Sequence, residues 1–282
     1  MTADLLGARR VAELLARYDL HLKKSLGQNF VVDPNTIRKI IDVAAIDRSD
    51  VVLEIGAGAG SLTIGLASMC RRVVAVEIDR RLKPLLADTV GDLPNVDVVF
   101  GDALSLALTG YQATKVVANL PYNIATQVVL RVLADVPTVT RLTVMTQREV
   151  GERLAARPGS RAYGRSSVAV AFHARARVAA PVSRRAFFPV PNVDSVIVEI
   201  ERIDHGPQLV REASLREVVT AAFAHRRKAV RNNLASIAGS VETAANILDQ
   251  VGVTAGSRAE HIDPDTYVRI AELIQRRRGE PG

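Results

Sequence analysis

Val51-Val52-Leu53-Glu54-Ile55, followed by Gly56-Ala57-Gly58-Ala59-Gly60, decides how this chain folds. Five mostly aliphatic residues ended by a glycine run predict a strand buried on both faces, and Ser61-Leu62-Thr63-Ile64 resumes helical character. Strand, glycine turn and helix together make a nucleotide site. Glycine turns sharply at positive φ, admits a ligand without presenting a Cβ, and leads into helix N–H groups that lack partners. The dinucleotide fingerprint needs another glycine at position 61, where the chain has Ser61, so NAD is disfavoured from the start.

Further strand-like runs at 73–77, 96–100, 115–119 and 142–146 alternate with helical stretches, which predicts a parallel, doubly wound α/β sheet. Runs at 167–178 and 193–201 follow with only a loop between them. No crossover helix fits there, so they are expected to pair as an antiparallel hairpin. That is the seven-stranded, Rossmann-like architecture of class I methyltransferases. Upstream, an amphipathic helix is expected within 1–18, and the aperiodic stretch from Lys23 to Phe30 reads as a loop. Asp33 and Pro34 then cap and open another helix. The loop between these helices suits either a bland connection or a flap over a charged ligand. Beyond Gly206-Pro207, helices are expected at 215–223, 226–237, 242–251 and 264–277, dividing the chain into a sheet domain, 1–204, and a small all-helical domain, 205–282.

Composition narrows the partners. A net charge of +7 and a pI near 9.9 favour polyanions, and 31 of the 37 basic residues are Arg, which suits phosphate forks and base stacking. One cysteine, Cys70, rules out an internal disulfide or a multi-cysteine metal site and points to a reducing compartment. There is no apolar run long enough for a bilayer and no signal-peptide core, so a cytoplasmic protein is expected.

Candidate chemistry sits where the predicted strands end. Glu77 closes the second strand about 20 residues after the first glycine, where a carboxylate accepts both ribose hydroxyls, the alternative being a helix-capping acid beside Asp79. Asp102 suits either an adenine amino group or a plain turn aspartate. Asn119-Leu120-Pro121-Tyr122 follows the fourth strand and is the most informative tetrapeptide. The exocyclic nitrogen of adenine is a poor nucleophile because its lone pair is delocalised into the ring. The Asn119 amide oxygen and the Leu120 carbonyl can each accept one N–H and favour a pyramidal nitrogen. Pro121 stiffens that carbonyl's direction, and Tyr122 offers a face for stacking. The alternative is a tight turn around a buried tyrosine. Of the pair in Phe187-Phe188-Pro189-Val190-Pro191, Phe187 is assigned to the second wall of a base pocket and Phe188 to the core.

With these residues in view, the chain resembles the ribosomal RNA adenine dimethyltransferases, most of all their bacterial small-subunit branch. The match runs nearly end to end: Lys24-Ser25-Leu26-Gly27-Gln28-Asn29-Phe30, Leu53-Glu54-Ile55-Gly56-Ala57-Gly58, Glu77-Ile78-Asp79, Gly101-Asp102-Ala103, Asn119-Leu120-Pro121-Tyr122-Asn123, the Phe187 to Ser195 stretch, Arg226-Arg227-Lys228 and Arg231-Asn232-Asn233-Leu234. The resemblance implies S-adenosylmethionine as methyl donor, held by Asn29, the backbone of Val31, Gly56, Glu77, Asp102 and Asn119, with no metal in the chemistry. Position 31 is Val where the family more often has Leu, a change a backbone contact tolerates. It also implies that two adjacent adenosines near the 3′ end of 16S RNA are dimethylated within a small-subunit assembly intermediate; the chain itself is expected to act as a monomer. The large-subunit macrolide-resistance enzymes share the pocket and form the rival reading, and a non-catalytic assembly factor on the same fold is another.

Basic residues are expected to meet the RNA at Lys23, Lys24, Arg226, Arg227, Lys228 and Arg231, with Arg157, Arg161, Arg165, Arg184 and Arg185 as further candidates. On the 226–237 helix, Arg227 and Arg231 are expected to share the face opposite Val230 and Leu234.

Overall fold

The computed structural model describes residues 5–23, 27–121, 123–203 and 212–279. Lys24, Ser25, Leu26 and Tyr122 lie outside them, as does the expected domain border at 204/205. The elements in order are α1 (Ala8–Arg17), β1 (Phe30–Val31), α2 (Pro34–Ala44), β2 (Val51–Ile55), α3 (Ser61–Ala67), β3 (Arg72–Glu77), α4 (Lys83–Val90), β4 (Val96–Phe100), β5 (Lys115–Asn119), α5 (Ala125–Asp135), β6 (Arg141–Gln147), α6 (Arg148–Leu154), α7 (Arg165–Ala171), β7 (Ala174–Val182), β8 (Phe187–Phe188), β9 (Ser195–Arg202), α8 (Glu212–Ala222), α9 (Val230–Ala238), α10 (Val241–Gln250) and α11 (Pro264–Arg278).

Seven strands form one sheet in the order β4-β3-β2-β5-β6-β9-β7. Strands β2 to β6 run parallel, and β9 pairs antiparallel with β6. All five residues of β2 are buried, as a central strand covered on both faces requires. Each buried Val, Leu or Ile contributes roughly 1.5–3 kcal/mol, so the aliphatic runs that predict the strands also supply the cohesion of the sheet. Helix starts follow local chemistry. Asp33 accepts from the Thr36 N–H at 2.9 Å with Pro34 in the first turn, and Asp263 does the same for Thr266 at 2.9 Å ahead of Pro264.

A second, two-stranded ribbon joins distant segments: β1 pairs antiparallel with β8, Phe30 opposite Phe188 and Val31 opposite Phe187. The Val32 N–H extends it to the Ala186 carbonyl at 2.9 Å.

The chain separates into two compact units, Met1–Glu152 with Ala176–Arg202, and Arg153–Arg175 with Ile203–Gly282. Segment Arg153–Arg175, which the sequence keeps with the sheet, thus clusters with the C-terminal helices. The reason is apolar and polar at once. Tyr163, Val168 and Phe172 share a core with Leu215, Leu234 and Tyr267, the Tyr163 hydroxyl donates to the Ile262 carbonyl at 2.9 Å, and the Gly159 N–H donates to Glu260 O at 2.7 Å.

Two element expectations need correction. Where the sequence predicts a strand over 167–178, helix α7 occupies the first part and β7 begins only at Ala174. Alternating Val168 and Val170 imitate a strand, but the Ser167 hydroxyl fixes a helix start by accepting from the Gly164 N–H at 3.1 Å. Where a helix is predicted over 226–237, α9 starts only at Val230, and residues 223–228 form a turn. The buried Asn233 holds that turn, its Nδ2 donating to the Ala222 and His225 carbonyls at 2.7 and 3.1 Å.

Candidate active site

The parallel strands end together on one edge, the place where ligands bind in doubly wound sheets. The loops after β2, β3, β4 and β5 enclose a cleft there with residues 27–30, and it is lined by Asn29, Gly56, Glu77, Asp102, Asn119, Leu120, Pro121 and Phe187. Every described candidate for donor binding or catalysis therefore faces one cavity, except Val31, which lines a small adjoining one beneath the glycine loop.

The glycine loop is shaped by what a side chain would strike. Gly58 has φ +58, and a Cβ on it would lie 2.8 Å from the Phe30 ring, so the loop closes only when bare. Its N–H donates to Glu77 Oε2 at 2.8 Å, while the Asp79 N–H donates to Oε1 at 2.8 Å. Burial pushes the Glu77 carboxyl above the usual range, and these two N–H groups pull it back. Each oxygen retains capacity for a further donor, as a pair of ribose hydroxyls would supply. The capping role falls to Asp79 instead, which accepts from the Arg81 N–H at 3.2 Å.

Asp102 divides its carboxylate. Oδ1 accepts from the Leu104 N–H at 2.8 Å, the turn role, and among the described residues Oδ2 carries no bond. Arg131 on α5 steadies this loop by donating to the Ala103 carbonyl at 2.6 Å and the Leu106 carbonyl at 2.8 Å. Nothing in the sequence hints at that clamp, since Arg131 lies 29 positions away in an ordinary helix pattern.

At the end of β5, Asn119 Nδ2 donates to the Asn29 backbone carbonyl at 2.9 Å, leaving the amide oxygen as the unspent end. The Leu120 N–H is held by the Met145 carbonyl at 3.0 Å, and the Pro121 carbonyl accepts from Ile124 and Ala125 at 3.2 and 3.1 Å. The peptide between them is thus tied on both sides. Gly27 rests on Pro121, where a Cβ would stand 3.0 Å from the proline Cβ.

The flap stretch is anchored as well. Gln28 Nε2 donates to Asp79 Oδ2 at 2.9 Å, Gln28 Oε1 accepts from the Lys23 N–H at 2.8 Å, and Arg81 bridges Asp79 at 2.5 Å while donating to the His21 carbonyl at 3.2 Å. The Arg81 guanidinium, with the Gln28 amide, holds Asp79 down to about 2. Phe187 belongs to the core, 3% exposed within the apolar cluster, and it also lines the cleft, whereas Phe188, which the sequence assigns to the core, is half-buried against that cluster.

Among the basic candidates, Lys23, Arg226, Arg227, Lys228 and Arg231 are exposed. Arg226 is committed to structure, donating to the Tyr163 and Arg161 carbonyls at 2.9 and 3.3 Å. Because α9 starts at Val230, Arg227 lies in the turn before it and does not share a helix face with Arg231. Among the described residues no group of three or more His, Cys, Asp or Glu is placed to hold a metal, and no helix is long and apolar enough to cross a membrane.

A family model described as ribosomal RNA adenine dimethylase matches residues 20–276. Curated relatives include the ribosomal RNA small subunit methyltransferase A of Thermobifida fusca, 45% identical with 96% of each chain covered, and that of Geobacillus thermodenitrificans, 38% identical with 97% of this chain and 98% of the relative covered. Among solved structures, a dimethyladenosine transferase from Plasmodium falciparum shares the fold at a TM-score of 0.76 and 23% identity, covering 88% of this chain and 98% of that one. The 23S rRNA methyltransferase ErmE follows at 0.65 and 27%, covering 88% and 100%. A glycine loop braced by a buried carboxylate, an asparagine locked ahead of Leu120-Pro121, and relatives aligned over nearly their whole length lead to one assignment: this chain belongs to the ribosomal RNA adenine dimethylase family.

Proposed function

We propose that the chain moves methyl groups from S-adenosylmethionine to the N6 amines of two adjacent adenosines near the 3′ end of 16S ribosomal RNA, two to each, acting as a cytoplasmic monomer on a small-subunit assembly intermediate. The observation that carries this reading is the orientation of the Asn119 amide. With Nδ2 spent on Asn29, only its oxygen is left to accept a substrate N–H.

The cleft fits the donor on its own chemistry. Buried Glu77 keeps acceptor capacity for a ribose, Asp102 Oδ2 is unspent for an adenine amino group, and the bare loop at Gly56 and Gly58 leaves room beside Asn29. When bound, S-adenosylmethionine supplies a methyl group on a positively charged sulfur. Asn119 Oδ1 and the Leu120 carbonyl accept the two N–H bonds of the target amine, turning its lone pair toward that carbon. The N–C bond forms as the C–S bond breaks, and the nitrogen then releases a proton to solvent, so no strong base is required. Alignment of this kind supplies roughly 7–11 kcal/mol of a barrier. Tyr122, though outside the described residues, belongs to the same tetrapeptide, and its ring is assigned to stacking on the base, worth about 1–3 kcal/mol. Lys23, Lys24, Arg226, Arg227, Lys228 and Arg231 are assigned to the phosphates, the sheet unit of 1–152 with 176–202 to methyl transfer, and the helical unit of 153–175 with 203–282 to RNA binding.

The test is to add the protein and tritiated donor to small-subunit particles from cells that lack this methylation, and separately to 23S RNA, and to map the labelled nucleotides. Label on two neighbouring adenosines of 16S RNA supports the reading, and label on 23S RNA alone or on neither removes it. Tyr122→Ala is expected to bind donor nearly normally and to lose transfer.

A further inference from the structure

A second opening lies on the same carboxyl edge of the sheet and takes no part in the chemistry above. It is a groove of about 540 Å³, within the roughly 300–1,000 Å³ usual for ligand sites, where the end of β6 meets the loop between β8 and β9. Gln147, the last residue of β6, and Val193 of that loop line it. Strand register fixes how far it lies from the reaction. Asn119 pairs with Met145 on the neighbouring strand, and Gln147 stands two residues further out, opposite Ser195 of β9. Strand spacing and rise place it roughly 5 Å across and 7 Å beyond the level of Asn119, a span that one nucleotide step covers. The Gln147 amide has no partner among the described residues, so its N–H groups and its oxygen are all unspent. Val193 is 44% exposed, an apolar face open to solvent. The charges of the groove are mixed, Arg148 and Arg184 standing among Glu149, Glu152 and Asp194. Carboxylates that outnumber guanidinium groups do not suit a run of phosphates. A nucleobase edge, which carries donors and acceptors together, suits both the amide and the mixture. The loop that carries Val193 is pinned: Asp194 Oδ1 accepts from the Arg184 N–H at 3.0 Å, the Asp194 carbonyl accepts from the Arg148 N–H at 3.1 Å, and the Arg148 guanidinium faces the Asp194 carboxylate at 3.8 Å.

We propose that this groove is a subsite for the adenosine next to the one being methylated. Gln147 takes the neighbour's outer edge, Oε1 accepting from its N6–H and Nε2 donating to its N7, while the ring lies on Val193. That bidentate pair is the one by which glutamine reads adenine, and an unstacked RNA base exposes the edge it needs. The inference rests on the reading that two adjacent adenosines are the substrate, and it adds how the enzyme tells such a pair from a lone adenosine. A dimethylated neighbour has no N6–H, so the subsite also favours a partner adenosine that is still unmethylated.

The test crosses enzyme variants with particle variants. Small-subunit particles lacking the methylation are prepared with both adenosines and with either one replaced by uridine, and single-turnover transfer at saturating donor is mapped to each adenosine. On the particle with both, Gln147→Ala is expected to slow transfer to one adenosine, the one whose neighbour occupies the groove, about tenfold or more, the worth of a lost bidentate base contact. Where that neighbour is uridine, the contact is already gone, and Gln147→Ala is expected to cost less than about twofold further. Val193→Ala is expected to show the same dependence on the neighbour at a smaller size, and it carries the test should Gln147→Ala fold poorly. Thermal melting and S-adenosylhomocysteine binding by both variants are expected to match the parent. A loss of equal size on every particle, or no loss on any, overturns the subsite and leaves the methylation reading standing. Parent protein that labels neither adenosine overturns both.

Discussion

The side-chain nitrogen of Asn119 donates to the backbone carbonyl of Asn29 at 2.9 Å across 90 residues of sequence. That bond orients the amide, and an aspartate cannot make it, because a carboxylate has no N–H and would face the Asn29 oxygen with like charge. Asn119→Asp is expected to cut the methyl-transfer rate about 10²–10³-fold, the usual loss when one aligned polar group leaves an active site. Donor affinity should fall less than the rate. Single-turnover transfer from labelled donor, set beside calorimetry, separates the two effects.

Arg131 predicts a remote effect on donor binding. Its guanidinium fork spans the Ala103 and Leu106 carbonyls, and a lysine ammonium cannot reach both in the same geometry. In Arg131→Ala and Arg131→Lys the Asp102 loop loses its clamp, and S-adenosylhomocysteine is expected to bind about tenfold more weakly, with RNA affinity unchanged. Filter binding of RNA beside calorimetry of the ligand checks the split.

Glu54 makes stability depend on pH in a stated direction. Its folded value near 8 lies above the ordinary 4.5, so between those limits the native state holds a proton that the unfolded chain gives up. Stability from this group is present below 4.5 and is lost as pH rises through 8, at up to roughly 1.4 kcal/mol per pH unit. Glu54→Gln removes that slope. Melting curves without ligand should show the variant gaining on the parent from pH 5 to 8 and the gap levelling above.

The exposed arginines predict salt behaviour. Arg227→Ala and Arg231→Ala are each expected to lower the slope of log affinity against log salt by about 0.7–0.9 for each phosphate that is no longer neutralised. Arg226→Ala should differ from both, because its guanidinium holds the Tyr163 and Arg161 carbonyls, and its removal should appear as a lower melting temperature as well. Titrations at several salt concentrations distinguish the groups.

The sheet was legible in the sequence because its strands are short aliphatic runs whose burial leaves no other assignment, and Glu77, Asp102 and Asn119 were legible because each stands where such a run ends. What escaped were interactions made by side chains of ordinary helical positions. Arg131 and Asn233 look like surface and amide residues until the chain closes on them and brings carbonyls within reach. Helix α7 escaped for a different reason: Val168 and Val170 carry strand propensity, and the packing of Val168 and Phe172 among the C-terminal helices overrides it. The pairing of Phe30 with Phe188 was equally invisible, since neither two-residue strand has a period to detect.

That short ribbon has a mechanical meaning. Phe30 follows Asn29 at the donor side, and Phe188 follows Phe187 at the side given to the base, so one rung couples the two walls of the reaction chamber. In the proposed reaction this rung is the backbone path that ties the wall beside the donor to the wall beside the base, so a substitution that breaks it is expected to disturb both together.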